Sequence, residues 1–291
     1  MRQSLENLIR STIILKTTLG VWERTSLSSM DDNCLKSTND EDLKRIIYEG
    51  IIEYSYSEFE IFEKDVNILH RNALLTKLKY NHSASDETKE KYWFYGEVLL
   101  DWILKTIFWT HSLISRWYFY NPLENGETKW FDCYHLISDN EKLYLYYGET
   151  KFHANPKSWI TDVLNKIENA LSDKNLEKNL LVLVNHKEKL KDPKMFFIID
   201  ERQNEWVNLI DSLQKNNITL VYPILIIGNH IKQDYDENIQ EQILHIESLL
   251  PKNITISIPH EIFFIFLPVQ STKDIKKTII EWISSNKALT L

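Results

Sequence analysis

The 291-residue chain carries 34 basic against 42 acidic side chains, a net charge of −8, with 43% hydrophobic and 26% charged residues. That balance is globular rather than disordered, and its size permits one large domain or two modest ones. The acidic net charge argues against a free-standing tight DNA binder, because the overall field repels phosphates unless a local basic groove or a partner intervenes.

Two distant cysteines, Cys34 and Cys133, form no zinc-ligand spacing, and they suit a reducing compartment. The first residues lack the pattern of a signal peptide and no apolar run approaches a membrane span, so a cytoplasmic location is expected. The six glycines build no GxGxxG or GxxxxGK loop, GxSxG and HExxH are absent, and the nine histidines are scattered. Nucleotide binding through those loops, serine hydrolysis at such an elbow and HExxH zinc chemistry drop out.

Residues 1–85 are expected to form an N-terminal extension, mostly helical, with a strand within Ser11–Leu19 and a polar loop over Thr25–Glu41. Asp40 and Asp42 are placed to cap a helix bearing Leu43, Ile46, Ile47, Ile51 and Ile52. A second apolar-periodic segment lies at Ile68–Leu78, and a linker around residues 81–90 separates it from a domain over 86–291.

From Thr88 to Trp117 the spacing is helical, and Glu97 falls within about 20° of Leu104 and Phe108 on the inward stripe. A carboxylate aimed inward needs a partner or a metal, unless it sits on a frayed first turn near water. Pro122, Asn125 and Gly126 then break the chain. Two β-branched and aromatic runs follow, Lys129–Ile137 and Leu143–His153, around a polar turn at 138–142.

Alternation in that hairpin places Glu149 and Lys151 on one face, and a suitable register brings Asp132 beside them. Thr150 turns its side chain away while its backbone carbonyl remains available as an oxygen ligand. Phosphodiester hydrolysis uses a hard divalent cation on carboxylate oxygens, with a lysine to orient water or neutralise developing charge. Asp132 and Glu149 are the expected ligands, Lys151 the assisting cation, and Glu97 a further ligand. Taken alone, Glu-x-Lys is also what an ordinary surface ion pair looks like.

Asn155 and Pro156 open a helix with Trp159, Ile160, Val163, Leu164, Ile167 and Leu171 on its apolar face. Strands are expected at Leu180–Asn185 and Thr219–Ile227, the latter bent or near an edge because of Pro223, with a helix through Trp206, Ile210 and Leu213 between them. Helix at Asn238–Leu250, strands at Ile254–Ile258 and Ile262–Leu267, and a last helix bearing Ile275, Ile279, Trp282 and Ile283 complete an α/β chain. Lys187, Lys189, Lys191 and Lys194 form one basic run, read as a solvated loop or a phosphate contact.

Over about 90–230 this order resembles the restriction-endonuclease-like PD-(D/E)XK core, a mixed sheet flanked by helices, here with an N-terminal α+β extension. Gly96-Glu97-Val-Leu-Leu100, Phe131-Asp132-Cys-Tyr-His135-Leu and Tyr147-Gly148-Glu149-Thr-Lys151-Phe152 look like the motifs of HamA, a nuclease family of the Hachiman anti-phage defence system. The resemblance implies a DNA endonuclease that depends on Mg²⁺ (or Mn²⁺) and associates with a superfamily 2 helicase subunit, HamB. It carries over Glu97, Asp132, Glu149 and Lys151 as site residues. His135 fits the pattern but falls on the other strand face from Asp132, so a structural role is assigned to it first. Two alternatives stay open: a catalytically silent, nuclease-like regulatory subunit of a helicase complex, and an RNase.

Overall fold

The computed structural model describes the chain except for residues 1, 63, 116–119, 122–125, 128–130, 140–141, 156, 191, 201–208, 230–234, 251–253 and 291. Helix α1 (Arg2–Thr12) runs into β1 (Ile13–Leu19), followed by β2 (Asp32–Ser37), α2 (Asp40–Ser55), α3 (Glu58–Ile61) and α4 (Val66–Asn72), which continues as a π-helical turn at Ala73–Lys77. Then come α5 (Asp86–Glu90), α6 (Phe94–Thr106), β3 (His111–Ser112), the small pair β4 (Tyr120–Asn121) and β5 (Gly126–Glu127), and the hairpin β6 (Cys133–Asp139) with β7 (Lys142–Phe152). Four helices follow, α7 (Lys157–Ala170), α8 (Asp173–Asn185), α9 (Pro193–Asp200) and α10 (Leu209–Lys215), before β8 (Ile218–Ile227). The chain closes with α11 (Tyr235–Glu247), β9 (His260–Phe266) and α12 (Thr272–Ser284).

Seven strands form one mixed sheet in the order β1-β2-β9-β8-β7-β6-β3. Its centre, β2 through β7, is parallel, while β1, β6 and β3 join antiparallel at the flanks. Alternation along β8 sends Val221 and Leu225 to one apolar layer with α1, α2, α6 and α12, and Leu220, Tyr222, Ile224 and Ile226 to the other with α7 through α11. A strand covered on both faces reads as a continuous apolar run, which is how β8 and β9 announce themselves in the sequence. This is the expected α/β class, with helices on both faces of a mixed sheet.

Several local expectations are corrected. Leu180–Asn185 is the second half of α8, not a strand. A short apolar run does not distinguish the two, and the deciding stripe is Leu176, Leu180 and Leu183, all fully buried at helical spacing. The expected loop at Thr25–Glu41 contains β2, whose sequence is polar but which is held by pairing to β1 and β9; the Asp32 carboxylate also accepts from Phe264 N at 2.7 Å. Asn39, not Asp40 or Asp42, caps α2, accepting from Glu41 N at 3.0 Å, with the acids filling the first turn.

The helix expected over Thr88–Trp117 is α5 and α6 with a break, then β3, and Trp117 lies outside the described residues. Ile254–Ile258 contributes only an isolated bridge at Thr255. Pro223 lies in an interior strand, not at an edge: it aligns with Phe263 of β9, while the ladder to β7 skips Tyr222 and Pro223 between Val221 and Ile224. Pro122, Asn125, Lys129, Trp130, Pro156, Lys191 and Trp206 fall outside the described residues.

Residues 1–85 supply two strands to the common sheet, and α1, α2 and α4 with its π-helical turn to the layer shared with α6 and α12. Among the described residues no helix is long and apolar enough to cross a membrane.

Candidate active site

Hairpin register brings the two acids together. Cys133, opposite Gly148, closes the β6–β7 ladder, and Asp132 just before it turns its carboxylate to β7 beside Glu149. Asp132 N donates to Gly148 O at 2.8 Å, and the Asp132 Oδ2 atom accepts from Thr150 N, also at 2.8 Å. The aspartate is thereby fixed to β7 by its backbone and by its side chain.

Glu149 is 1% exposed. Its Oε1 receives the Lys151 ammonium at 2.9 Å, and its Oε2 receives that of Lys166, two turns into α7. Burial, followed by repulsion from Asp132, raises its carboxyl above the ordinary value against the pull of both lysines. For Lys151 burial works downward, but Glu149 and Asp132 outweigh it and hold the ammonium above the ordinary lysine value. Lys151 is therefore protonated at neutral pH, which suits a hydrogen-bond donor and not a proton acceptor.

Glu97 is also 1% exposed, on the inward side of α6, and accepts the Tyr54 hydroxyl from α2. Deep burial at a paired site replaces the alternative of a frayed, solvated helix end. Glu97 and the Thr150 side chain belong to the α6 side of the sheet and Glu149 and Lys151 face α7, while Asp132 lies between, also lining a second pocket with Tyr54, Asp101 and His135. All five nevertheless line one cleft of about 310 Å³ at the end of β7. Gly96 makes this approach possible: a Cβ there would meet Thr150 Oγ1 at 2.8 Å and Phe152 Cβ at 3.3 Å.

A family model described as HamA matches residues 11–283. The chain belongs to the HamA family. The matched span runs from the end of α1 to α12, so both the N-terminal extension and the closing elements lie within it. No curated protein and no solved structure matches the chain. Membership of HamA makes it a protein associated with Hachiman defence.

Further residues of this HamA chain, not singled out by its motifs, line the same cleft. Lys166 is seven residues beyond Trp159 and flanks the apolar stripe of α7, a spacing that points both toward β7. From α12, Lys276 donates to Phe152 O at 2.8 Å, and burial pushes its ammonium down to about 8. Lys91, Tyr92 and Trp93 stand at the entry to α6. His153 stacks on Trp159 with ring centroids 4.2 Å apart and planes at 12°. Burial, then Lys276 and Lys151, push this imidazole down to about 4, leaving it uncharged at physiological pH.

His135 does not line this cleft; it lies on the α6 face of β6 and shares a separate small pocket with Asp132. It is 1% exposed, with Asp101 at 2.8 Å from Nε2 and the Thr110 hydroxyl at 2.7 Å from Nδ1. Lys105 and Ser112 also donate to Asp101, at 2.6 and 3.1 Å. Burial works to raise the Asp101 carboxyl, but Lys105 and His135 hold it well below the usual range. This network fastens α6 and β3 to β6. The basic run is likewise remote from the acids: Lys187 pairs with Asp200, and Lys194 donates to Ser138 at 3.2 Å.

Two buried carboxylates, the Glu149 carboxyl raised by burial and then by Asp132, form a hard-oxygen donor set of the kind that takes Mg²⁺ or Mn²⁺. Among the described residues, however, no group of three or more His, Cys, Asp or Glu side chains gathers closely enough to hold a metal. The fit thus rests on Asp132 and Glu149 with the Thr150 carbonyl, and Glu97 stands back on the other layer.

Proposed function

We propose that this chain is a metal-dependent DNA endonuclease, the effector of a bacterial anti-phage defence system working with a helicase partner of the HamB kind. The observation that carries the reading is the convergence of Asp132, Glu149 and Lys151 in one cleft, where Asp132 Oδ2 accepts from Thr150 N and the Glu149 carboxylate takes the Lys151 ammonium. Asp132, Glu149 and the Thr150 carbonyl would hold Mg²⁺ (or Mn²⁺), which polarises the phosphate and acidifies a water when bound. Glu97 supports that set from α6. Lys151 donates hydrogen bonds from its charged ammonium to the attacking water or to non-bridging oxygens gaining charge. Four cleft lysines offset the net charge of −8 where a polyanion must enter.

A second reading is favoured by one specific observation: both oxygens of Glu149 already carry a lysine. A chain that keeps those pairs is a silent, nuclease-like regulatory subunit. Incubation with supercoiled DNA and matched RNA separates the readings. Nuclease function requires cleavage in Mg²⁺ that stops in chelator, resumes on adding the ion, and disappears in Glu149→Ala and Lys151→Ala proteins with wild-type circular dichroism. Unchanged cleavage in both variants would overturn the site assignment, no metal-dependent cleavage of either polymer would favour the silent subunit, and cleavage of RNA alone would make the chain an RNase.

A further inference from the structure

We propose that the stacked His153–Trp159 pair at the mouth of the cleft is a platform for an unpaired nucleobase, so that the site takes single-stranded or frayed DNA. The proposal rests on the nuclease reading and deepens it by naming the substrate class. His153 lies just beyond the end of β7, two residues after Lys151, and Trp159 lies in the first turns of α7. Their rings are nearly parallel, at 12° and 4.2 Å, and Trp159 is 40% exposed. A large aromatic surface kept open within a polar, charged cleft needs an explanation that burial of a core side chain does not supply.

The uncharged imidazole extends this aromatic surface instead of offering a phosphate another cation. Phosphate-directed charge comes from Lys151, Lys166 and Lys276 beside it. Tyr92 and Trp93, partly buried against the core, add aromatic surface to the same lining. Cations tracking a backbone together with rings that accept base faces are the combination that binds single-stranded nucleic acid without reading its sequence. In an intact duplex the base faces are occupied by neighbouring base pairs, and extruding a nucleotide costs a few kcal/mol. An open end, gap or displaced strand presents those faces without that cost.

The full chain, held in chelator so that nothing is cut, should be titrated with a fluorescein-labelled thymidine oligonucleotide and with a blunt hairpin of equal phosphate number. The single strand is expected to bind about tenfold more tightly or better, as one stacked base provides. Trp159→Ala should collapse the ratio toward one, and Trp159→Phe should restore most of it. Restoration by phenylalanine also shows that the alanine loss is not one of folding. Equal binding of both ligands, binding of neither, or an unchanged ratio in the alanine protein would overturn the platform. Adding Mg²⁺ to the wild-type mixtures separates this from the nuclease reading. Preferential binding without cleavage would sink the nuclease and leave the platform, whereas equal cleavage of both ligands with equal binding would do the reverse.

Discussion

At the scale of the residue, the centre of the site is a contest over Glu149. Burial and Asp132 oppose its charge, and Lys151 with Lys166 sustain it. Removing Lys166 takes away one of the two cations, so the carboxyl must rise further. On the proposed nuclease function, Lys166→Met is expected to lower cleavage about 10- to 100-fold and to move the acid limb of the pH-rate profile to higher pH, because that function takes Glu149 as a carboxylate. A uniform loss with an unmoved acid limb would reduce Lys166 to a packing role.

A second titration belongs to stability. His70 is buried, its Nε2 lies 2.8 Å from Tyr48 O, and burial lowers its imidazole to about 4. The folded value lies below the ordinary 6.5, so the contribution is present above pH 6.5 and is lost as pH falls through about 4. The full loss is about 3 kcal/mol at 1.36 kcal/mol per pH unit. Denaturant unfolding between pH 7 and 4.5 should therefore show a shallower decline in His70→Gln than in the parent protein. Identical slopes would exclude His70 as the source.

At the scale of the element, two close approaches set the site. Gly96 lets α6 lie against Thr150, and Gly148 faces Cys133 Sγ, into which a Cβ would run, and Leu100 Cδ2, which it would meet at 2.9 Å. Gly148→Ala should cost about 1–3 kcal/mol of stability and Gly96→Ala a similar amount, measured by calorimetry. Of the two, Gly96→Ala should cost more cleavage than its stability loss predicts, because the helix it displaces carries Glu97.

These elements were legible because their signals are local. The hairpin has alternation and a polar turn, α7 and α12 have apolar stripes, and Glu97 sits on the stripe of α6. What escaped depends on distant partners. Polar β2 becomes a strand by lying between β1 and β9, and α8 declares itself only when Leu176 is counted with Leu180 and Leu183. Pro223 argued for a bend or an edge; parallel partners flank it on both sides, and the ladder to β7 accommodates it by a local gap. At the site, motif and alternation found Asp132, Glu149 and Lys151. Lys166 and Lys276 were missed because nothing local distinguishes a lysine that turns inward from one that faces water.

At the scale of the molecule, the charge distribution makes a thermodynamic prediction. Four lysines line the cleft of a chain whose net charge is −8. With at most four phosphates neutralised, the logarithm of single-strand affinity should fall against the logarithm of salt with a slope no steeper than about −3. A much steeper slope in a filter-binding series would place DNA on surfaces beyond this cleft.

The position of β9 has a consequence in time. It is the only strand in the described sheet that joins β2 to β8, so residues 32–37 acquire their inner neighbour only after residues 260–266 exist. Synthesis proceeds from the other end, and the hairpin with its acids emerges long before that seam can close. Pairings of such sequence separation form slowly. A nascent chain would thus hold the acids and lysines of the candidate site without the sheet that aligns them, and the cell making it would be exposed to a finished cleft only once translation has delivered the last parallel strand.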